Sequence, residues 1–208
     1  MHDAFQMAHG DLPAELARAF SEVPRIAVDV ETTGLDWRQE RLATCQLFAD
    51  AVGVVIVRVD DDKPVHLARL LENAAVEKVF HHAPFDLRFM VHAWNIQPAS
   101  VRCTKVASKL LTPNVPNDEH SLQQLLARHL GVRLSKGPVR TSDWTAASLT
   151  AEQLDYAAGD VMYLLALFDV LQSDLDEAGL ASLYDDCCAF LLARVLLEIG
   201  GYPDVFAY

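Results

Sequence analysis

Apolar and polar positions alternate with different periods along the chain, and the changes of period predict an ordered set of strands and helices. Short apolar or alternating runs predict strands at Ile26–Val28, Arg41–Phe48 and Val52–Val59. The three residues between the second and third of these strands are few enough for a hairpin. Two more short strands are predicted at Lys78–Phe80 and Val101–Cys103.

Apolar residues spaced three and four positions apart predict helices in much of the remaining chain. The first helix begins at Asp11, which is placed to act as its N-cap. The predicted helices are Asp11–Phe20, Pro64–Asn73, one from Pro84 onward, Thr104–Leu111, His120–Leu130, Ala151–Leu175 and Leu180–Ile199. Three strands followed by an alternation of strands and helices predict an α/β domain, with one mixed central β-sheet flanked by α-helices.

Two carboxylates follow the first predicted strand directly. Side chains two residues apart on a strand share a face, so Asp29 and Glu31 point the same way and Val30 points to the other face. Two neighbouring anions at the end of a buried strand repel each other and lose hydration, which a divalent cation between them relieves. Oxygen ligands favour Mg²⁺ or Mn²⁺ over Zn²⁺. The alternative is an edge strand with two solvated acids.

A third acid, Asp86, lies in the first turns of the helix that follows the strand Lys78–Phe80. One interpretation makes it a ligand of the same cation as the first two acids. The other is structural, because a carboxylate near a helix N-terminus stabilises the helix dipole without any ligand.

Tyr156 and Asp160 lie one turn apart on one face of a late helix. The small residues between them allow that helix to approach another element closely. Asp160 precedes a largely apolar run, and an acid in a buried position needs a partner, such as a metal ion. The alternative has Asp160 solvated and Tyr156 at the edge of an ordinary core.

Length and composition restrict the class of protein. The chain has 208 residues, of which 51% are hydrophobic, as expected of one folded domain. No apolar run approaches the ~20 residues that span a bilayer, and the N-terminal stretch lacks the pattern of a secretory signal. The cysteines form no Cys-x-x-Cys pair, which favours free thiols in a reducing compartment: Cys45, Cys103, Cys187 and Cys188. We therefore expect a cytoplasmic protein without a membrane partner.

The net charge of −12 is distributed unevenly. Residues 1–100 carry 15 acids and 9 bases, residues 101–142 carry 2 acids and 7 bases, and residues 143–208 carry 12 acids and 1 base. A basic segment in an acidic protein suits a short anionic ligand better than a long duplex. Its alternative is a set of scattered, solvated lysines and arginines.

The five chemically interesting residues, taken in order, resemble a known motif set. Asp-x-Glu on a strand, Asp at a helix start and Tyr-x-x-x-Asp on a late helix are similar to the Tyr subclass of the DEDD superfamily of 3′→5′ exonucleases, which has an RNase H-like fold. The matching residues are Asp29, Glu31, Asp86, Tyr156 and Asp160. The combination is much more specific than any of its parts.

Other stretches narrow the resemblance to the RNase D branch. Cys103–Leu110 and Leu134–Lys136, followed by Ser142–Trp144, are similar to that branch, and His9–Pro13 and Asp204–Ala207 resemble the compact nanoRNase C type of oligoribonuclease. The resemblance implies one exonuclease domain over 1–208, with catalytic motifs in 25–160 and a helical segment and tail in 161–208. The longer RNase D enzymes carry further helical domains.

The resemblance also implies roles for the five residues and a cofactor of two divalent cations, Mg²⁺ or Mn²⁺. Asp29 would bridge the two ions, Glu31 and Asp160 would hold the ion that activates water, and Asp86 would serve the ion at the leaving oxygen. Tyr156 would orient the attacking water, because an unperturbed phenol is a poor base at neutral pH.

Substrate contacts are predicted from the same resemblance. Thr32 and Thr33 would meet the terminal nucleotide, and Leu35 would wedge between the last two bases unless it simply packs. The remaining candidates are His81, His82, Phe85, Lys136 and Trp144, with core packing as the alternative for Phe85 and Trp144. Many members of the superfamily have Asn where this chain has His82, which leaves open which histidine touches the substrate.

The resemblance implies that the substrate is short single-stranded RNA, with dinucleotides preferred, and that the products are nucleoside 5′-monophosphates. The rivals are trimming of longer RNA, 3′→5′ hydrolysis of DNA, and a non-catalytic nucleic-acid-binding protein on the same fold. The nanoRNase C type also implies a homo-oligomer, with a ring as one form.

Overall fold

The alternating apolar residues of the first half of the chain form a six-stranded mixed β-sheet in the computed structural model, which describes residues 5–60, 62–134 and 138–207. The strands are β1 (Phe5–His9), β2 (Arg25–Thr32), β3 (Leu42–Ala49), β4 (Gly53–Arg58), β5 (Glu77–Phe80) and β6 (Val101–Cys103). Their order across the sheet is β1-β4-β3-β2-β5-β6. Strand β3 is antiparallel to β2 and β4, and the other neighbouring pairs are parallel. The predicted α/β fold with a mixed sheet is confirmed.

Strand β2 lies at the centre of the molecule and carries the first two acids. Ile26, Ala27 and Val28 are fully buried, as expected of a strand that has neighbours on both sides. The strand continues through Asp29 and Glu31 instead of ending before them, and its pairing with β3 shifts between Glu31 and Thr32. Such an irregularity redirects the chain at the end of a strand.

The helices are α1 (Ala14–Ser21), α2 (Val65–Glu72), α3 (Ala83–Trp94), α4 (Thr104–Leu111), α5 (Leu122–Leu130), α6 (Ala151–Met162), α7 (Leu164–Glu177) and α8 (Ala181–Ile199), with single 3₁₀ turns at Asn117–His120 and Pro138–Thr141. Among the described residues, no helix combines the length and the apolar character that a bilayer crossing requires.

The structure differs from the sequence predictions in three local features. Strand β1 was not predicted, because its five residues are partly exposed and show no clear alternation. The helix predicted over Ala151–Leu175 is two helices that meet at Tyr163. The apolar spacing continues through Val161, Leu164, Leu165 and Phe168, so the pattern carries no sign of the break.

The third error concerns Asp11, which does not cap its own helix. Helix α1 begins at Ala14 with Pro13 at the N-cap position. The Asp11 carboxylate instead accepts hydrogen bonds from the backbone N–H groups of Val65, His66 and Leu67, at 2.8–2.9 Å, and so caps α2. Burial raises the pKa of Asp11, but these bonds outweigh it and the net pKa is lowered.

Replacing Asp11 with alanine is expected to lower the free energy of unfolding by about 1–2 kcal/mol, the usual cost of losing an N-cap. Three N–H groups at the start of α2 would lose their acceptor. Urea unfolding at pH 7 measures the change, and Asp50→Ala, at an exposed acid in the β3–β4 turn, is the matched control. Equal effects of the two substitutions would contradict the capping role.

Candidate active site

The end of β2, the start of α3 and the middle of α6 enclose a pocket of about 430 Å³. Eleven of the thirteen residues predicted to form the site line it, together with four others. The lining residues are Asp29, Val30, Glu31, Thr32, Thr33, Gly34, Leu35, His81, His82, Phe85, Asp86, Thr141, Ser142, Tyr156 and Asp160. Residues that are distant in sequence thus meet beside the C-terminal end of β2.

Three carboxylates converge in this pocket. One oxygen atom from each of Asp29, Glu31 and Asp160 lies within 4.8 Å of the other two, and no other such group of acids, histidines or cysteines occurs in the part of the chain that the structure describes. Glu31 is buried, and Asp29 and Asp160 are partly buried. A cluster of oxygen ligands with this spacing has the chemistry of a Mg²⁺ or Mn²⁺ site.

The fourth acid, Asp86, lies beside this cluster in the first turn of α3 and is 1% exposed. Its Oδ1 atom is buried and has no hydrogen-bond partner among the described residues. A buried carboxylate oxygen without a donor is costly. The dipole interpretation leaves this atom unexplained, whereas a cation in the pocket would give it a partner.

Burial raises the pKa values of these acids. Burial first, and then the charges of Asp86, Asp160 and Glu31, raise the pKa of Asp29 well above its usual range. Burial likewise raises the pKa of Asp86, although the backbone N–H groups of Asp86 and Val30 act in the opposite direction. Burial raises the pKa of Asp160 to about 7. The metal-free site therefore resists full ionisation, and a divalent cation would relieve this resistance.

The raised pKa of Asp160 predicts a pH-dependent stability. The folded protein keeps a proton that the unfolded chain releases between about pH 4 and pH 7, so ionisation costs stability as the pH rises through this window. In EDTA, Asp160→Asn should match the wild type in free energy of unfolding at pH 4. At pH 7 it should be more stable, by on the order of 3 kcal/mol.

Urea unfolding in EDTA at pH 4, 5.5 and 7 measures this difference. The matched control is Asp155→Asn, at an exposed acid on the same helix, which should track the wild type at every pH. A difference between Asp160→Asn and the wild type that stays constant or shrinks with rising pH would contradict the prediction.

Tyr156 is coupled to the acid cluster from α6. Its hydroxyl interacts with the Asp160 carboxylate, one helical turn away, and each group shifts the pKa of the other. Burial, followed by the charges of Asp160, Glu31 and Asp29, raises the pKa of Tyr156 far above that of a free phenol. The hydroxyl therefore stays protonated at neutral pH and acts as a donor.

His82 adopts the left-handed backbone conformation, with φ of 72° and ψ of 43°, just before α3. Asn and His enter this region more readily than bulky residues, which explains how His stands where similar enzymes have Asn. Burial, then the charges of Lys105 and Arg88, lower the pKa of His82 to about 4. Part of the residue remains exposed at the pocket wall, and its ring is neutral at neutral pH.

His81 is more buried than His82. Its Nδ1 is 2.9 Å from the Thr104 hydroxyl oxygen, whereas its Nε2 is buried without a partner among the described residues. Burial, then the charges of Lys105 and His82, lower the pKa of His81 to about 3. Both histidines are therefore uncharged in the pocket at neutral pH.

The proposed base contacts lie at the rim. Leu35 is 83% exposed, so it contributes little to packing and is available to touch a ligand. Phe85 is partly buried, with its ring centroid 5.1 Å from that of Phe89, and it also lines the pocket. The Thr32 hydroxyl donates to the carbonyl of Gly34 and fixes the turn that carries Leu35.

Two predicted contacts are not in the lining. Lys136 lies outside the described residues. Trp144 is 1% exposed, and its ring packs beside that of Tyr156 with a centroid separation of 6.1 Å. This geometry supports the packing alternative for Trp144. Thr141 and Ser142 do line the pocket, and Thr141 was not among the predicted contacts.

The basic residues of segment 101–142 that the structure describes differ in their surroundings. Arg102 pairs with Glu77 and Asp185, and Arg128 pairs with Glu119, so their charges are locally balanced. Lys105 instead influences both histidines of the pocket. Among these described residues, Lys105 thus adds positive charge beside the pocket, whereas Arg102 and Arg128 are neutralised locally.

Comparison with known proteins defines the class of protein to which this fold and site belong. Residues 7–176 match the family described as 3′-5′ exonuclease, and the chain belongs to that family. The resemblance to DEDD exonucleases of the RNase D branch is confirmed, and members of the family depend on divalent metal ions.

The particular proteins it resembles include NrnC of Brucella melitensis. The structure of NrnC with bound Mg²⁺ superposes with a TM-score of 0.89 at 32% identity, and the match covers 99% of each chain. NrnC bound to pGG gives a TM-score of 0.89 at 33% identity, covering 99% of this chain and 98% of that one. The RNase H-like fold is thereby confirmed.

The curated relatives are longer proteins. Ribonuclease D of Haemophilus influenzae is 27% identical over 183 residues, which cover 86% of this chain and 44% of that protein. The chain spans less than half the length of the curated relatives that it matches.

Proposed function

We propose that this protein is a metal-dependent 3′→5′ exoribonuclease that hydrolyses short RNA, dinucleotides in particular, to nucleoside 5′-monophosphates. One observation carries the proposal: Asp29, Glu31, Asp86, Tyr156 and Asp160 meet in a single pocket within a chain of the 3′-5′ exonuclease family. All four acids of the motif are present, which argues against a non-catalytic protein on the same fold.

The donor set fits two divalent cations, Mg²⁺ or Mn²⁺. Asp29, Glu31 and Asp160 would hold one ion, and Asp86, with its buried unpartnered oxygen, would join Asp29 at a second. Such ions neutralise charge on the phosphoryl oxygens and stabilise the attacking and leaving oxygens. The four carboxylates fix where that charge is neutralised and therefore which phosphodiester reacts.

Tyr156 has a positioning task in this proposal. Its hydroxyl keeps its proton at neutral pH and is directed to Asp160, so it orients the attacking water by hydrogen bonding and does not remove its proton. Leu35, Phe85, His81 and His82 surround the same space and would hold the terminal nucleotides.

Short RNA suits the size and surroundings of the pocket. Its volume of about 430 Å³ is typical of a site for one small ligand and not of an extended groove. The net charge of −12 disfavours long nucleic acid. The similar NrnC has been seen bound to pGG, which supports the same substrate class here.

The surface of α8 and the tail supports assembly into a homo-oligomer, for which a ring is our preferred form. Phe190 and Phe206 are exposed and meet edge to face with ring centroids 5.5 Å apart, and Tyr202 and Val205, close to Phe206 in sequence, are also exposed. Exposed apolar patches of this kind mark interaction sites.

We also propose that the chain acts as one exonuclease domain in the cytoplasm, where its four thiols stay reduced.

The proposal is tested by a time course with 5′-labelled RNA of two, three, five and twenty nucleotides, in Mg²⁺, in Mn²⁺ and in EDTA. We expect the dinucleotide to disappear much faster than the twenty-mer, and only with metal. Processive trimming of the twenty-mer with persistence of the dinucleotide would replace short RNA by longer RNA as the substrate. Matched DNA oligonucleotides test the sugar preference.

A further inference from the structure

An arginine from the sheet binds residues 145–147, which follow Thr141 and Ser142 of the pocket wall. Arg58, the last residue of β4, donates from Nη1 to the carbonyl of Ala147 at 2.7 Å and from Nη2 to the carbonyl of Ala146 at 2.7 Å. Nη2 also reaches the carbonyl of Thr145 at 3.5 Å. A planar guanidinium holds several acceptors in fixed directions, so this side chain fixes three consecutive peptide groups.

A buried glutamine holds the same segment from its other side. Gln153, in the first turn of α6, is 3% exposed. Its Nε2 donates to the Ser142 hydroxyl at 2.9 Å and to the Asp143 carbonyl at 3.0 Å, and its Oε1 accepts from the Thr150 N–H. Residues 142–150 are therefore tied to β4 at one point and to α6 at another.

Residues 142–150 contact Tyr156 of the proposed active site through the side chain of Trp144. This side chain is buried, and its ring lies 6.1 Å from the ring of Tyr156 with an angle of 49° between the planes. Thr141 and Ser142, just before it, line the pocket. Loss of the Arg58 contacts would thus shift the support behind Tyr156, while Gln153 would still hold Ser142 in the pocket wall.

We propose that Arg58 is a positioning residue for Tyr156: by binding the carbonyls of residues 145–147 it holds Trp144 against the tyrosine ring and keeps the hydroxyl directed at Asp160. The inference rests on the proposed exonuclease function. Arg58 does not line the pocket, so it contributes through Tyr156 and not through direct contact with the substrate.

A double-mutant cycle tests the inference, because residues that act through one another give non-additive effects. With short RNA and Mg²⁺, Arg58→Ala should lower kcat about tenfold in the wild-type background, as small misplacements of a reacting group do. In the Tyr156→Phe background the same substitution should change kcat less than twofold. KM should change little in either background. Arg58→Lys should restore kcat only in part, because its donors sit on one nitrogen and do not match the positions that the two guanidinium nitrogens reach.

Arg102→Ala is the matched control. Arg102 is also a half-buried arginine of the sheet, but it lies on β6 at the far edge and binds Glu77 and Asp185. We expect a loss of Tm with unchanged kcat. A red shift of tryptophan emission should appear in Arg58→Ala, where Trp144 loosens, and should be absent in Arg102→Ala.

Each outcome bears on one proposal. An active wild type with equal fold-losses from Arg58→Ala in both backgrounds, or with the same kcat loss from Arg102→Ala, overturns the role of Arg58 and leaves the exonuclease function standing. A wild type that is inactive on every RNA overturns the proposed function, and the role of Arg58 falls with it. If Arg58→Ala unfolds at the assay temperature, Arg58→Lys carries the same cycle with the same expected non-additivity.

Discussion

Asp29→Asn is expected to lower the rate of RNA hydrolysis by about 10³-fold or more while the protein stays folded. An oxygen atom of Asp29 lies within 4.8 Å of oxygen atoms of Glu31 and Asp160, and the charge of Asp86 also raises the pKa of Asp29. Losing its charge would remove the carboxylate that the proposed site shares between its two cations. Removing a single preorganised group of this kind costs on the order of 10²–10³-fold, and loss of a metal ion adds to that.

The same substitution should stabilise the metal-free protein. Without a cation at neutral pH, the folded protein either ionises Asp29 in a buried, acidic setting or keeps a proton that the unfolded chain releases. Both cost stability, so Asn at this position should raise the Tm in EDTA. Asp155→Asn, at an exposed acid on α6, is the control and should leave both activity and Tm near the wild-type values. Full activity of Asp29→Asn would contradict the assignment of these acids to the active site.

Tyr156→Phe is expected to lower kcat about 10²-fold and to leave KM nearly unchanged. The ring and its packing against Trp144 are retained, and only the donor that faces Asp160 is lost. Loss of a positioned proton donor or acceptor costs roughly 10²–10⁴-fold, and an orienting role belongs at the lower end.

Steady-state kinetics on a dinucleotide measure the change, and Tyr163→Phe provides the matched control at a half-buried tyrosine of the same helix pair. An unchanged kcat in Tyr156→Phe would remove this residue from the mechanism. A rise in KM without a change in kcat would move it to substrate binding.

The acid cluster was predictable because each part has a local cause. Asp29 and Glu31 share a face by strand geometry, and Tyr156 and Asp160 share one by helix geometry, so each pair could be predicted from spacing alone. Their meeting in one pocket followed only from the resemblance to a family. Spacing says nothing about where β2 and α6 lie relative to each other.

Features that depend on contacts between distant segments were not predictable. Asp11 caps a helix that begins 54 residues later, and local reasoning assigned it to the helix beside it. Arg58 and Ala147 lie 89 residues apart in sequence, so nothing near either one marks the contact. The break at Tyr163 was missed because both helices bury the same run of apolar positions.

The backbone conformation of His82 explains one departure from the family pattern. Many members of the superfamily have Asn where this chain has His82, and the positive φ at this position shows what the two residues have in common. The conformation holds the ring at the pocket wall next to α3. What the ring contacts there depends on the ligand, which the sequence does not contain.

The most direct test is digestion of a 5′-labelled RNA pentamer by the wild type and by Asp29→Asn, with Mg²⁺ and with EDTA, followed over time on a sequencing gel. A 3′→5′ exonuclease whose chemistry depends on this cluster gives a ladder of labelled fragments that shortens one nucleotide at a time, only for the wild type and only with Mg²⁺. Release of the label as a mononucleotide at the first time point, or the same ladder from Asp29→Asn or in EDTA, would contradict that assignment.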